Sequence, residues 1–387
     1  MWKRIPACVG VISDCCLYGM IRSLPFTIWP SFREKTMQLK FTAYNCGTGY
    51  NRFSNDVVAQ LYRETLTNCV VTDGVGGGGP HGNAGGAWKL SGLLGGVGVD
   101  ANVGFVVNEV KGHYASGSQN MVLNMCGWSR GAVTCIKIAN ALNADQATRA
   151  IPVNIFAIDP VPGGACINNH MWRSITMTPN IRICNVVLSQ HDRRSLFAPY
   201  YPEVLGPFTD VDIMPGDHST IVEQKPGRTE AYELMKDMAK RFLMARGTRF
   251  AHGELLTPAE ILKRYSLIAE HFDDYAHFAK GAAKGWEKRF KGERVIRDVN
   301  RNEVAQMLPV KPQFFLNEHH RIVFQSLFPA LTNELDGPPE QAFAQTSYSR
   351  WSTEIDAMMD AGMVEQARMV LVYYLACEAK KGVAAVA

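Results

Sequence analysis

The chain has 387 residues, of which 47% are hydrophobic and 20% charged, so it can bury one large core with an appended region, or two domains. Its formal net charge of +4 is small and it contains no run of five like charges, so we expect no nucleic-acid partner. The ten cysteines lack the paired C-x-x-C spacing of a zinc site, which favours buried, reduced thiols in a protein made in the cytoplasm.

Residues 1–36 have a basic start and an apolar stretch that Asp14 interrupts, and no clean cleavage site follows it. The stretch is too short and too broken to span a bilayer. We therefore expect an N-terminal leader that packs on the following domain, or sequence upstream of a true start near Met37.

The next segment predicts two strands, a helix and a loop. Leu39 to Tyr44 predicts a first strand, a helix begins near Asn55, and "NCVVT" predicts a second strand. The stretch from Asp73 to Gly98 is too rich in glycine for regular structure. We expect it to form a mobile loop over the functional site.

Strand and helix patterns then alternate along the chain. A helix is predicted from about Asp100 to Tyr114, and a buried strand from Met121 to Cys126. Val153 to Asp159 and Arg182 to Asp192 are further β-rich apolar runs that end in polar loops. This alternation predicts an α/β domain with a mostly parallel sheet and helices on both faces, over residues 37–248.

From about Arg249 the pattern is helical, and no strand runs are evident. Thr257 followed by Pro258 and Glu260 is typical of a helix start. We therefore expect residues 249–387 to form a C-terminal α-helical extension.

Ser129 stands between two glycines in "CGWSRGA", after an apolar run and before a helical one. The nucleophile elbow of an α/β-hydrolase has this arrangement, because a Cβ on either flanking residue would collide with the strand or the helix. The serine would lie at a helix N-terminus, where free N–H groups stabilise negative charge. The alternative is that Ser129 only caps the helix.

A serine hydroxyl becomes a good nucleophile when a histidine takes its proton and an acid orients that histidine. In this fold the chain order is serine, acid, histidine. His218 is the best candidate base, because it follows a short apolar segment at the point where the last strand of the sheet should end. Two acids remain open at this stage. Asp192 follows the later strand, as the usual topology requires, but Arg193 and Arg194 could engage it, whereas Asp159 has no neighbouring cation.

Several stretches, in order, resemble the catalytic domain of the type VI secretion phospholipase effectors of Tle type, a family of α/β-hydrolases. They are NCGTGYN, SND, TDGVGGGG, GVGVDANV, CGWSRGA, AIDPV, QHDRRSLFAP and MPGDHST. The likeness covers about residues 38 to 225, and the ordered set is more specific than any single motif.

The resemblance implies Ser129 as the nucleophile, His218 as the base and Asp159 as the orienting acid. Asp192 is then the alternative acid, and with Arg193 it would form a supporting pair. It also implies a secretion-apparatus or immunity partner, and secretion into a target cell.

An oxyanion would need two N–H donors. Arg130 supplies one because it follows the nucleophile directly, and Gly47 or Thr48, after the first strand, would supply the other. The alternative for Gly47 is a simple turn glycine.

We expect a serine esterase, most concretely a phospholipase-like lipid hydrolase that needs no metal or cofactor. A catalytically silent interaction module is the alternative from another class, and a thioesterase or acyltransferase would use the same three residues. The expected substrate is a lipid or ester. Peripheral membrane contact is expected through apolar residues of the glycine-rich stretch, namely Trp88, Leu90, Leu93 and Leu94.

Overall fold

The computed structural model describes ten stretches of the chain: residues 38–77, 98–116, 120–162, 175–192, 198–200, 209–271, 274–275, 294–297, 303–307 and 318–327. The chain divides into two units, Met1–Met37 and Gln38–Ala387, and all the described residues belong to the second. The expected leader lies outside the described residues. So do the four apolar residues expected to contact a membrane.

Six strands form one sheet, and every neighbouring pair in it is parallel. The strands are β1 (Leu39–Asn45), β2 (Asn68–Thr72), β3 (Met121–Trp128), β4 (Val153–Ile158), β5 (Ile181–Ser189) and β6 (Thr209–Met214). Their spatial order is β2-β1-β3-β4-β5-β6. The direction of winding therefore reverses between β1 and β3, which is where open parallel sheets bind their ligands.

Helices cover both faces of this sheet. They are α1 (Val57–Glu64), α2 (Val99–Ala115), α3 (Arg130–Ala144), α4 (Glu230–Met244), α5 (Pro258–Glu270) and α6 (Glu318–Leu327). Val110 of α2 and Ile136 of α3 belong to one buried apolar cluster, and Leu61 of α1 and Phe242 of α4 belong to the other. This arrangement confirms the predicted α/β class. No helix in the described stretches is long and apolar enough to cross a membrane.

The strands and helices predicted up to β5 are present close to the predicted bounds. The main difference is that β3 continues two residues beyond Cys126, because Gly127 and Trp128 still pair with Ala157 and Ile158 of β4. All eight residues of β3 are buried, as expected for a central strand. The strand therefore runs directly into Ser129.

The region from residue 249 is not wholly helical, so the sequence prediction is corrected here. Two short antiparallel strands, β7 (Arg294–Arg297) and β8 (Glu303–Met307), pair within it. Strands of four and five residues are too short to show a clear period of two. The predicted start of α5 is present, since Thr257 and Glu260 form a reciprocal capping box.

Asp56 connects α1 to the chain that follows His218, through its side chain on one side and its main chain on the other. Asp56 is 0% exposed and caps α1 by accepting hydrogen bonds from the N–H groups of Val58 and Ala59. It also forms an isolated antiparallel bridge with Glu223. Burial raises the pKa of Asp56 to about 6, although the two N–H donors favour the charged form.

We predict that Asp56→Asn changes how stability depends on pH. A carboxyl whose pKa is raised on folding binds its proton more tightly in the native state, so the native protein loses stability as pH rises from about 4 to about 6. The uncharged amide lacks this dependence. Between pH 4 and pH 8, chemical denaturation should show the variant gaining about 2–3 kcal/mol relative to the natural chain. Parallel pH profiles for the two proteins would contradict the raised pKa.

Candidate active site

Ser129 occupies a sharp turn between β3 and α3. Its φ and ψ are 58° and −124°, and only Ser129 and Asp159 among the described non-glycine residues have positive φ. The N–H of Ser129 donates to the carbonyl of Ile158 at 2.9 Å, which holds the turn against β4. Ser129 occupies the N-cap position of α3, but its side chain makes no capping hydrogen bond to the helix. Such strained conformations persist where surrounding structure enforces them, most often at functional sites.

The two glycines that flank Ser129 are required by close backbone packing. A Cβ on Gly127 would lie 2.5 Å from the carbonyl oxygen of Gly131, and a Cβ on Gly131 would lie 2.0 Å from the carbonyl oxygen of Asn45. Both distances are far below van der Waals contact. The glycines therefore allow α3 to start directly against β3 and the end of β1.

A buried aspartate–histidine pair lies beside this turn. The Nδ1 atom of His218 is 2.5 Å from Oδ2 of Asp159, and the two residues are 4% and 0% exposed. Asp159 follows β4 directly, and its carboxylate also accepts from the N–H and the hydroxyl of Ser189, both at 3.0 Å. These contacts fix the carboxylate and leave Nε2 as the ring atom that is not engaged by Asp159. In serine hydrolases the acid holds the base histidine through the same ring nitrogen.

Trp128 joins the serine turn to the histidine loop. Its Nε1 donates to the main-chain carbonyl of His218 at 3.1 Å, and the two rings lie 5.1 Å apart between centroids. Trp128 directly precedes Ser129 in the chain. The turn at Ser129 and the loop that carries His218 are therefore held together by a single side chain.

Asp192 supports the histidine through the main chain. Its Oδ2 accepts from the N–H of His218 at 3.3 Å, whereas Asp159 contacts the imidazole ring itself. The neighbouring His191 accepts from the N–H of Gly216 through Nδ1 at 2.9 Å, which holds the start of the same loop. Arg193, the expected partner of Asp192, lies outside the described residues. Of the two acids that the sequence left open, Asp159 has the geometry of an orienting acid.

The loop after β1 packs against the serine turn from the other side. A Cβ on Gly47 would lie 2.3 Å from Cε3 of Trp128, so this position has no room for a larger residue. No backbone carbonyl of the described residues accepts from the N–H of Gly47 or Thr48. Arg130 begins α3, and the first N–H groups of a helix lack an intrahelical acceptor. The expected oxyanion donors therefore lie at the start of α3 and in the loop after β1. These two segments meet where the strand order reverses, between β1 and β3.

The side chain of Arg130 connects the start of α3 to the loop after β1. Its guanidinium donates to the Thr48 hydroxyl at 2.8 Å and is largely buried. Burial lowers the pKa of Arg130 to about 10, so the group stays positively charged at neutral pH. A fixed positive charge therefore belongs to the residue that follows Ser129 in the sequence.

The start of the glycine-rich stretch is held in place, contrary to the expectation of a mobile loop from Asp73 onward. The Asp73 carboxylate receives two hydrogen bonds from the Arg52 guanidinium, both at 3.2 Å, and one from the Arg52 N–H at 2.8 Å. The side chain of Asn102 donates to the Asp73 carbonyl at 2.9 Å. A buried acid paired with an arginine outweighs the flexibility of the glycines that follow it. Residues 78–97 lie outside the described residues.

Two residues that shape the site were not predicted from the sequence. They are Ser189 and Trp128, and each acts through a contact between distant parts of the chain. Only Ser189 carries a usable signal, because it ends the strand beside β4, and the carboxyl ends of parallel strands meet at one edge. Among the described residues, no group of three or more His, Cys, Asp or Glu side chains is arranged to hold a metal ion.

Comparison with known proteins gives weak likenesses. No family model and no curated protein matches this chain. An uncharacterized protein from Pseudomonas aeruginosa matches at a TM-score of 0.40 and 12% identity over 87% of this chain, which spans 64% of that protein. The Tle1 effector bound to the VgrG spike of the type 6 secretion system matches at 0.31 and 14%, over 48% of this chain and 51% of that one. The peroxisomal α/β-hydrolase Lpx1 from Saccharomyces cerevisiae matches at 0.30 and 13%, over 65% and 87%.

Proposed function

We propose that this chain is a serine hydrolase that cleaves carboxylic esters. In this proposal Ser129 is the nucleophile, His218 the general base and Asp159 the acid that orients it. The observation that carries the proposal is the 2.5 Å contact between the Asp159 carboxylate and the His218 ring, beside a serine in a strained strand–helix turn. A helix-capping serine would need neither the strain nor the buried acid–histidine pair.

The proposed reaction has two halves. His218 takes the proton of the Ser129 hydroxyl through Nε2 as the oxygen attacks the ester carbonyl, and then gives that proton to the leaving alcohol. Water, activated by the same nitrogen, releases the acid from the acyl-enzyme. The N–H groups of Arg130 and of Gly47 or Thr48 stabilise the oxyanion in both halves. Asp159 remains ionised and stabilises the imidazolium.

The finer part of the proposal is a phospholipase-like lipid substrate. It is supported by the ordered motifs of the sequence and by an exposed aromatic residue at the catalytic edge of the sheet. Phe53 is 78% exposed and lies on the loop that follows β1, the same loop that carries Gly47. A large apolar side chain at this place can enter the headgroup region of a bilayer without spanning it. The secretion-apparatus and immunity partners remain predictions.

We predict that a fluorophosphonate probe labels Ser129, because a serine activated by a histidine reacts with this reagent and an unactivated serine does not. Ser129→Ala should abolish the labelling, as measured by mass spectrometry of the probe-modified peptide. Ser116→Ala, a change at an exposed helix-end serine, serves as the control and should leave it intact. Absence of labelling in the folded natural chain would favour the silent interaction module.

The role of the acid is tested by comparing two conservative variants. Asp159→Asn should lower kcat by about 10³- to 10⁴-fold, because the amide cannot hold the imidazole in the correct tautomer. Asp192→Asn should act mainly on stability, with a loss of about 1–3 kcal/mol from a weakened hydrogen bond to the main chain. Turnover of a soluble ester and unfolding by denaturant measure the two effects. The reverse pattern would make Asp192 the acid.

The substrate class is tested by comparing phospholipid vesicles with short soluble esters, with Ser129→Ala as the inactive control. A lipid enzyme should prefer the vesicles. Phe53→Ser should lower vesicle hydrolysis several-fold without changing soluble-ester hydrolysis, while Leu66→Ser should change neither. Leu66 is a matched control because it is also exposed, at 64%, but precedes β2 at the opposite edge of the sheet. Activity on soluble esters with none on vesicles would leave a soluble esterase.

A further inference from the structure

A second cleft lies at the amino-terminal edge of the sheet, opposite the edge that carries Ser129. It has a volume of about 520 Å³ and is formed where the end of α4 meets the first residues of β1, β3, β4 and β5. The lining residues are Lys40, Val122, Pro152, Asn154, Arg182, Met244, Ala245, Arg246 and Gly247. Nothing in the proposed ester hydrolysis uses these residues.

Strand register brings the lining together from distant parts of the chain. Lys40 of β1 lies beside Val122 of β3, and the next residue of β3 donates its N–H to the carbonyl of Pro152 at 3.0 Å. The pairing of β4 with β5 shifts by one residue at this level, between Val153 and Asn154. A β-bulge of this kind re-aims a side chain, and here it directs Arg182 toward the cleft.

The cleft carries three positive charges and, among its described lining residues, no acid. Lys40 donates to the neutral side chain of Gln38. Arg182 is exposed and pairs with no carboxylate in the described parts of the chain. Arg246 stacks on the Phe242 ring at 3.6 Å and donates to the Phe242 carbonyl at 2.7 Å, which uses one of its five N–H donors.

The acidic group that acts on Arg246 lies outside the lining. Burial lowers the pKa of Arg246, and the Glu318 carboxylate of α6 opposes that shift. The three cations are therefore not neutralised by the residues that enclose the cleft. Like charges gathered in this way repel one another, and an anion between them would remove that cost.

The last carbonyls of α4 accept hydrogen bonds from the residues that follow, which reduces the negative charge that the helix end presents to the cleft. The N–H of Gly247 donates to Met244 at 2.9 Å, and the N–H groups of Arg246 and Thr248 both donate to Leu243 at 3.1 Å. Gly247 has a φ of 89°, as a helix-ending glycine requires, and a Cβ added to it would lie 3.1 Å from the aliphatic part of Lys40. The cap thus positions the lysine stem in the cleft wall.

A hydrogen-bonded polar row across three central strands begins at Asn154, which lines the cleft. Asn154 donates to Asn124 at 2.9 Å, and Asn124 donates to the Thr248 hydroxyl and the Arg246 carbonyl, both at 3.1 Å. Thr42 and Thr248 share a further hydrogen bond of 2.9 Å. Central strands of parallel sheets are normally almost wholly apolar. This row fixes the segment that carries Arg246.

We propose that this cleft binds the phosphate group of an organic phosphate ester. Guanidinium groups match phosphate oxygens with paired N–H donors, and a lysine ammonium adds a compact charge. Val122, Pro152 and Met244 form an apolar wall beside the cations, which suits the organic part of such a ligand. The ester is either a soluble molecule or the headgroup of an anionic phospholipid, since both present the same chemistry.

Binding is tested with the full chain by calorimetric titration of glycerol 3-phosphate, with glycerol as the uncharged comparison. Co-sedimentation with phosphatidylglycerol vesicles, compared with phosphatidylcholine vesicles, tests the headgroup source. We expect saturable binding of the phosphate ester, of the anionic vesicles, or of both. Arg182→Gln should weaken it roughly ten- to a hundredfold, and Lys40→Gln combined with Arg182→Gln should abolish it.

The matched control is Lys263→Gln combined with Arg249→Gln, which removes two positive charges at exposed positions that are not in the cleft lining. It should bind as tightly as the natural chain. Equal weakening in both double variants would show that only net charge matters and would overturn the proposal. The proposal would also be overturned if neither glycerol 3-phosphate nor the phosphatidylglycerol vesicles bound saturably. Melting temperatures confirm that the variants fold, and the labelling of Ser129 should be unchanged in all of them.

Discussion

The structure depends on one backbone contact, the approach of Gly131 at the start of α3 to the carbonyl of Asn45 at the end of β1. There is no space for a Cβ on Gly131, nor on Gly127, which lies in β3 before Ser129. This contact sets how closely the helix follows the strand, and therefore how sharply Ser129 must turn. Once the turn is fixed, the first N–H of α3 and the loop after β1 both lie near the serine. This is the place where the strand order of the sheet reverses, between β1 and β3.

The other loops of the site are held against this turn by side chains that each contact more than one loop. Trp128 lies against both Gly47 and the His218 ring, so the loop after β1 and the loop that carries His218 pack on the same side chain. Asp159 is held by Ser189 of the next strand, and Asp192 holds the main chain of His218. Movement of any one loop would disturb the other contacts. The site is preorganised by its supporting residues as much as by the proposed triad.

The sequence predicted what depends on local pattern. The parallel sheet and the bounds of its strands follow from apolar runs and glycine spacing, and the proposed roles of Ser129, His218 and Asp159 rest on an ordered set of motifs. The contacts of Trp128, the bulge at Arg182 and the polar row through Asn124 could not be predicted in this way. Each requires the register between strands that are far apart in the chain, and a one-residue shift would point those side chains elsewhere. The pair β7 and β8 was missed because short strands carry too little periodicity.

The two edges of the sheet differ in how their charged side chains are partnered. At the carboxyl edge, two buried carboxylates are paired: Asp159 with the His218 ring, and Asp73 with the Arg52 guanidinium. At the amino edge, Lys40, Arg182 and Arg246 converge without a lining acid, and a hydrogen-bonded row of amides and hydroxyls holds their supports in place. Burying that polar row in a central parallel sheet gives up apolar contact that valine or isoleucine would provide. The loss is understandable if the row serves to position a charged cleft, because apolar side chains would pack equally well but could not anchor the segment that carries Arg246.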